Sequence, residues 1–400
     1  MKIRRIFSVF LLSVLLAALF LTPQAYALEE PTLDARNALL MDETNGRMLY
    51  GKAEKEKAYP ASITKIMTAL LVLEAVDRGD LSVSQPITAS YEAANSIDED
   101  SSTAGIEEGE VLTVEQLLYC LLLPSAADAA NTLAEGVSGD IASFVELMNQ
   151  KAESLSLKNT HFVNTYGRDD DMQYTTASDM AKLVQYAMKN QIFCDIVSTQ
   201  YKRISETNLS GVRYYFSNNA LVISSVDRRE VEDYYYRYAD GVMTGTSTEA
   251  GYNLAAYSDK GGMQLITVIL GSTRDEQSGT KHHYTDAISL MDWCYDNLQY
   301  TVVQTAQTPV CEVPVSLSAA KDGVALVAQK DLYAVIPTEV SPEELTVEYL
   351  VPETVEAPVS QNQVIGQAVF SYHDVEYARC DLYAQSDVER SLLLLVLHRI

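Results

Sequence analysis

The chain of 400 residues carries 55 acidic and 29 basic side chains, a formal net charge of −26. A surplus of this size repels phosphate backbones, which excludes nucleic-acid binding, and it does not suit a protein held flat on anionic lipid. The cysteines, Cys120, Cys194, Cys294, Cys311 and Cys380, are dispersed with no C-x-x-C pair and no zinc spacing, and the adjacent His282 and His283 do not share a helical face; neither a disulfide framework, a metal site nor a cofactor is expected.

Lys2, Arg4 and Arg5 precede an apolar run over 6–21 and the small-x-small site Ala25-Tyr26-Ala27. This predicts a secretory signal peptide, residues 1–27, cleaved after Ala27. An uncleaved anchor is the alternative, but the apolar core is short for a span. An exported, extracytoplasmic protein of the cell envelope follows.

Half-apolar runs at 38–41 and 47–50 flank Asn45-Gly46 and predict a hairpin. Ser62 and Lys65 then stand three apart at the start of an apolar helix that stops at Gly79, so their side chains share one face. A lysine amine beside a serine hydroxyl can take its proton, which activates a weak nucleophile without histidine. The helix is apolar over most of its circumference and is expected inside a domain. Thr113 with Gln116 forms a capping box for a helix through Leu123, and after Pro124 a second helix opens at Ser125. Ser125 with Asp128 itself reads as a capping box. Further helices are predicted over 141–155 and 178–189, strands over 214–216, 242–245, 252–257 and 264–270, and a last helix over 285–297. Six tyrosines between 214 and 238 read as a strand pair packed on the core, with a glycan-facing loop as the alternative.

The layout is α+β, an antiparallel sheet with a helical block, over 28–300. From 301 valine dominates and prolines punctuate short strands, which predicts a small all-β domain over 301–388. The apolar tail, 389–400, is too short to span a bilayer; it reads as the start of a membrane attachment or as a docked end.

Three short motifs line up in order: Ser62-x-x-Lys65, Ser125-Ala126-Ala127 and Met243-Thr244-Gly245. Ser-x-x-Lys with a Ser-x-Asn type motif and Lys-Thr-Gly marks penicillin-binding proteins and class A β-lactamases. With the runs 159–164, Glu249-Ala250-Gly251-Tyr252 and Ala357-Pro358 before Val364-Ile365-Gly366, nearly the whole mature chain resembles the D-alanyl-D-alanine carboxypeptidases, the low-molecular-mass penicillin-binding proteins. The resemblance implies a penicillin-binding-protein/β-lactamase-like domain. It implies Ser62 as the nucleophile acylated by the penultimate D-alanine of a peptidoglycan stem peptide, Lys65 as its base, and Ser125 as a proton relay. Thr244, in the strand Thr244-Gly245-Thr246, would hold the substrate carboxylate, and the N–H groups of Ser62 and Thr246 would form the oxyanion hole. β-Lactams would be covalent ligands.

The chain departs from the family's pattern at three places. Ala127 stands for the asparagine of the second motif, Met243 for the lysine of the third, and Gln173 where a histidine is usual. The first two losses predict slowed or absent turnover. A non-catalytic wall- or partner-binding homologue and a β-lactamase are the rival readings.

Overall fold

The computed structural model describes residues 29–223, 234–391 and 393; the expected signal peptide and most of the apolar tail lie outside them. The predicted hairpin forms β1 (Asn37–Asp42) and β2 (Met48–Lys52). A 3-10 turn over Ala61–Thr64 leads into α1 (Lys65–Asp77), which is buried on almost every side, as its apolar circumference requires. A small antiparallel pair, β3 (Pro86–Thr88) and β4 (Val111–Thr113), brackets α2 (Tyr91–Asn95). The helical block continues with α3 (Val114–Leu122), α4 (Ala127–Ser138), α5 (Ile141–Ser154), α6 (Ala177–Ala187) and α7 (Gln191–Val197). The Thr113/Gln116 capping box is present in full at the start of α3.

A second small pair follows, β5 (Tyr201–Ile204) with β6 (Arg213–Phe216). Then come the long strands β7 (Ala239–Ser247), β8 (Gly251–Lys260) and β9 (Met263–Ser272) and the helix α8 (His282–Asn297). The main sheet is antiparallel, in the order β2-β1-β9-β8-β7. Alternation along β9 sends Ile266, Val268 and Leu270 into the helical core, while Leu265 and Ile269 are buried outside that cluster; α8 packs on β8 and β9. The chain is thus α+β, with helices and sheet sharing one core.

The C-terminal part is all-β. It holds β10 (Leu298–Gln304), β11 (Pro309–Ser316), β12 (Gly323–Val327), β13 (Leu332–Pro337), β14 (Thr346–Leu350), β15 (Val355–Glu356), β16 (Val364–Tyr372) and β17 (Val375–Ala384). Six of these make a sheet in the order β14-β16-β17-β12-β11-β15, and β10 pairs with β13. Val313, Leu326, Ile336, Phe370 and Leu382 fill its separate core.

Two local expectations are corrected. The helix after Pro124 begins at Ala127, not at Ser125, and has no side-chain cap. The tyrosine-rich segments do not pair with one another: β6 pairs with β5, and Tyr234 to Tyr236 lie outside any strand. Tyr234 and Tyr236 are buried, whereas Tyr214 and Tyr235 are exposed. Among the described residues, no helix is long and apolar enough to cross a membrane.

Candidate active site

The approach to Ser62 is fixed from the sheet. Asn253, fully buried on β8, donates through Nδ2 to the carbonyls of Tyr59 (2.8 Å) and Pro60 (3.0 Å), and its Oδ1 accepts from Gly271 N (2.9 Å). These bonds end the extended chain and begin the 3-10 turn that carries Ser62. Lys65 opens α1 one turn later, so its side chain returns along the same face: Nζ lies 3.0 Å from Ser62 Oγ. Nζ also donates to the carbonyl of Tyr166 at 2.7 Å.

Lys65 is buried, and burial pushes its ammonium down from the ordinary 10.5 to about 7, while the nearby charge of Asp128 acts in the upward direction. An amine of that pKa is substantially neutral near pH 7 and can accept a proton. Burial, and not a neighbouring cation, is the cause.

The Tyr166 carbonyl is presented by a loop wound around one side chain. Asn164 Oδ1 accepts from Gly167 N (2.8 Å), Arg168 N (3.0 Å) and Gln173 Nε2 (3.2 Å). Buried Gln173 in turn accepts from Val163 N (2.9 Å) and Asn164 N (3.1 Å) through Oε1 and donates to the Arg168 carbonyl (3.1 Å) through Nε2. Gln173, read in the sequence as a departure, is therefore a fully used loop brace.

Two glycines let backbones close on Ser62. Gly167 has φ +94, and a β-carbon there would stand 1.8 Å from the Ala61 carbonyl oxygen. On β7, a β-carbon at Gly245 would stand 2.8 Å from Ser62 N and 3.0 Å from Ile63 N. The Thr-Gly-Thr strand thus runs against the turn that bears the serine.

Ser125 sits before α4 in the left-handed region, with φ +65. At 2 % exposure its Oγ has no hydrogen-bond partner among the described residues, and it lines a cavity of about 240 Å³ with Ser62, Thr244, Gly245 and Thr246. The capping box with Asp128 does not form. Asp128 instead accepts from the backbone N–H groups of Ala104, Ile106 and Ala129, between 2.8 and 3.0 Å. A second cavity of about 360 Å³ adjoins on the other side of Ser62, lined by Lys65, Tyr166 and Thr246 together with Asp98, Arg168 and Asp169. Ala127 and Met243 are both fully buried in the helical core and contribute no polar atom. A larger cavity of about 650 Å³, lined by Arg36, Lys57, Tyr59, Asp171 and Glu249, does not include Ser62. Among the described residues, no group of three or more His, Cys, Asp or Glu is placed to hold a metal ion.

All six residues singled out from the sequence, Ser62, Lys65, Ser125, Thr244, Gly245 and Thr246, meet around these two cavities. A buried amine in contact with a hydroxyl, in a cleft edged by a strand, is an arrangement suited to acyl transfer. Sequence reasoning missed Asn253, Asn164 and the loop role of Gln173. Asn164 lies in a run used only for family resemblance, and Asn253 had no local signal.

Residues 24–274 match the family model described as D-alanyl-D-alanine carboxypeptidase, and residues 304–390 match the C-terminal domain of penicillin-binding protein 5. The D-alanyl-D-alanine carboxypeptidase DacF of Bacillus subtilis (strain 168) is 27% identical over 402 residues, covering 99% of this chain and 97% of the relative. A D-alanyl-D-alanine carboxypeptidase of Streptomyces sp. (strain K15) is 33% identical over 263 residues, 62% of this chain and 84% of the relative. Among solved structures, penicillin binding protein 5 from Haemophilus influenzae has a TM-score of 0.76 at 27% identity, covering 90% of this chain and 99% of that one.

Proposed function

We propose, from the premise that this chain belongs to the D-alanyl-D-alanine carboxypeptidase family, that it removes the terminal D-alanine of peptidoglycan stem peptides through an acyl-enzyme on Ser62. The observation that carries this reading is the 3.0 Å contact between Ser62 Oγ and the buried amine of Lys65. In this reading Ser62 Oγ attacks the penultimate D-alanine carbonyl carbon, and its proton passes to Lys65 Nζ. The oxyanion is met by the N–H groups of Ser62 and Thr246, donors aimed at the charge that develops. Collapse of the intermediate breaks the peptide bond and expels D-alanine, its amine protonated by way of Ser125. Water then hydrolyses the ester. The unpartnered, buried Ser125 hydroxyl supports such a role, because a buried hydroxyl without a partner is an open hydrogen-bonding position. Export to the cell envelope, stable acylation by β-lactams, and membrane attachment through the C-terminal tail belong to the same proposal.

Ala127 and Met243 support slow turnover, since one lost charge-assisted hydrogen bond removes roughly 1.5–3 kcal/mol, one to two orders of magnitude in rate. They equally favour a second reading, a homologue that binds wall peptides without cleaving them. Incubation with a labelled penicillin, followed by peptide mapping, tests the first: no adduct on Ser62 refutes retained acylation. Release of D-alanine from a pentapeptide then separates the carboxypeptidase from the binding protein, and rapid turnover of the penicillin would instead favour a β-lactamase.

A further inference from the structure

Two of the side chains that line the cavity of about 240 Å³ beside Ser62 carry an oxygen that is buried and has no partner among the described residues: Ser125 Oγ and Asn218 Oδ1. Asn218 belongs to none of the three motifs. It lies two residues beyond β6, in a bend over 217–221 that is closed by its own hydrogen bonds. Ser217 N donates to the Gln200 carbonyl at 2.8 Å, Asn219 N to Ser217 Oγ at 3.2 Å, and Leu221 N to Asn219 Oδ1 at 3.1 Å. Two further bonds fix Asn218 itself. Its N–H donates to the Leu123 carbonyl at 3.0 Å, and its carbonyl accepts from Tyr284 Oη on α8 at 3.1 Å. Leu123 stands two residues before Ser125, so the first bond ties Asn218 to the segment that presents the second motif's hydroxyl. That motif brings no amide of its own, because Ala127 is buried in the helical core. His283 Nδ1 is also buried without a partner, but it lines the cavity from α8 and has no bond to this segment.

The two oxygens differ in chemistry. A hydroxyl donates and accepts, whereas a carboxamide oxygen only accepts. A buried acceptor that finds no donor in the protein is an open position for a donor from a ligand. In the proposed reading the atom that must come to Ser125 is the nitrogen of the scissile bond, and in a peptide that nitrogen carries a hydrogen.

We infer that Asn218 is a specificity-determining contact for the leaving group: its Oδ1 accepts the N–H of the scissile amide, which selects a peptide over the corresponding ester. This rests on the proposed reading of the cleft as a D-alanyl-D-alanine site. With the N–H held toward Asn218, the nitrogen lone pair of the tetrahedral intermediate is turned to Ser125. Ser125 Oγ gives its proton to that lone pair and is resupplied from Lys65 Nζ with the proton taken from Ser62. The carbon–nitrogen bond then breaks, its electron pair stays on nitrogen, and the free amine leaves. An ester places an oxygen lone pair where the N–H stood, so it loses the bond and meets Asn218 Oδ1 lone pair to lone pair.

The test uses a Ser62→Ala background, which removes turnover, and two probes that differ only in N–H against O: diacetyl-L-lysyl-D-alanyl-D-alanine and its ester analogue ending in D-lactate, titrated by calorimetry. The peptide is expected to bind about 10- to 100-fold more tightly, the range for a buried acceptor left unpaired. Asn218→Ala brings the two probes within about 2-fold of each other by weakening the peptide, with the ester no weaker than before. Asn218→Asp, which keeps an acceptor, keeps the preference. A parent that binds neither probe or does not prefer the peptide, a preference that survives Asn218→Ala, or equal loss of both probes in a variant with unchanged circular dichroism, overturns the inference. Asn218→Leu repeats the measurement if Asn218→Ala is unfolded. Penicillin labelling of the intact protein reports separately on Ser62 and Lys65. Peptide preference without labelling sinks the enzyme reading and leaves Asn218 as a contact to the amide; labelling without preference does the reverse.

Discussion

Replacing Lys65 by methionine should reverse its effect on stability between acid and alkaline pH. The amine is held at about 7 in the folded protein against an ordinary 10.5. Above pH 10.5 neither the folded nor the unfolded chain carries this proton, and the difference vanishes. Between 10.5 and about 7 the unfolded chain binds it and the folded one does not, so stability rises with pH across this window. Below about 7 both bind it, and the full penalty is present. The roughly 3.5 pH units at 1.36 kcal/mol each amount to about 5 kcal/mol. Methionine fills a similar volume without the charge but leaves the Tyr166 carbonyl unpartnered, a loss of about 1–3 kcal/mol. Lys65→Met should therefore be about 2–4 kcal/mol more stable than the parent at pH 6 and about 1–3 kcal/mol less stable at pH 10.5. Trp293, the single tryptophan, lies in α8 against Tyr50, and its fluorescence reports urea unfolding of the sheet and helices around the site. An offset between the two proteins that stays constant from pH 6 to 10 would refute the reasoning. The same variant should lose penicillin acylation altogether, so stability gained at acid pH is traded against chemistry.

Other perturbations have defined outcomes. Gly245→Ala places a β-carbon 2.8 Å from Ser62 N and should abolish penicillin labelling while leaving the all-β C-terminal part folded, as judged by limited proteolysis. Gln173→Leu strands two backbone N–H groups, each worth about 1–3 kcal/mol, and should lower both the urea midpoint and the acylation rate; a normal rate would show that the loop does not depend on this brace. Asp128→Asn removes a charge that holds the Lys65 pKa up, so the acid limb of the acylation pH profile should move to lower pH; a shift to higher pH would contradict the assigned direction.

What could be read from the sequence was what is local. Ser62 and Lys65 meet because three residues make nearly one helical turn, and the Thr113/Gln116 box and the Asn45-Gly46 hairpin are set by neighbours in the chain. Ser125 shows where local reasoning fails. A serine three residues before an acid has the spacing of a cap, but φ +65 takes its hydroxyl away from the helix, and Asp128 is drawn off by the backbone of residues 104–106. Asn253 was invisible because its meaning is tertiary: it acts on a segment far away in sequence. Gln173 was seen as a substitution, and only its four hydrogen bonds reveal what it holds.

Ser62 is flanked by chain from five separate places: the 3-10 turn, the Ser125 bend, the loop at 164–168, the middle of β7 and the Asn253 side chain. No fragment of the protein by itself positions the Ser62 hydroxyl. With Ser62 acylated as proposed, a fluorescent penicillin would act as a conformational reporter, marking molecules that have finished folding and passing over precursors, misfolded chains and truncated forms whose hydroxyl is present but undirected.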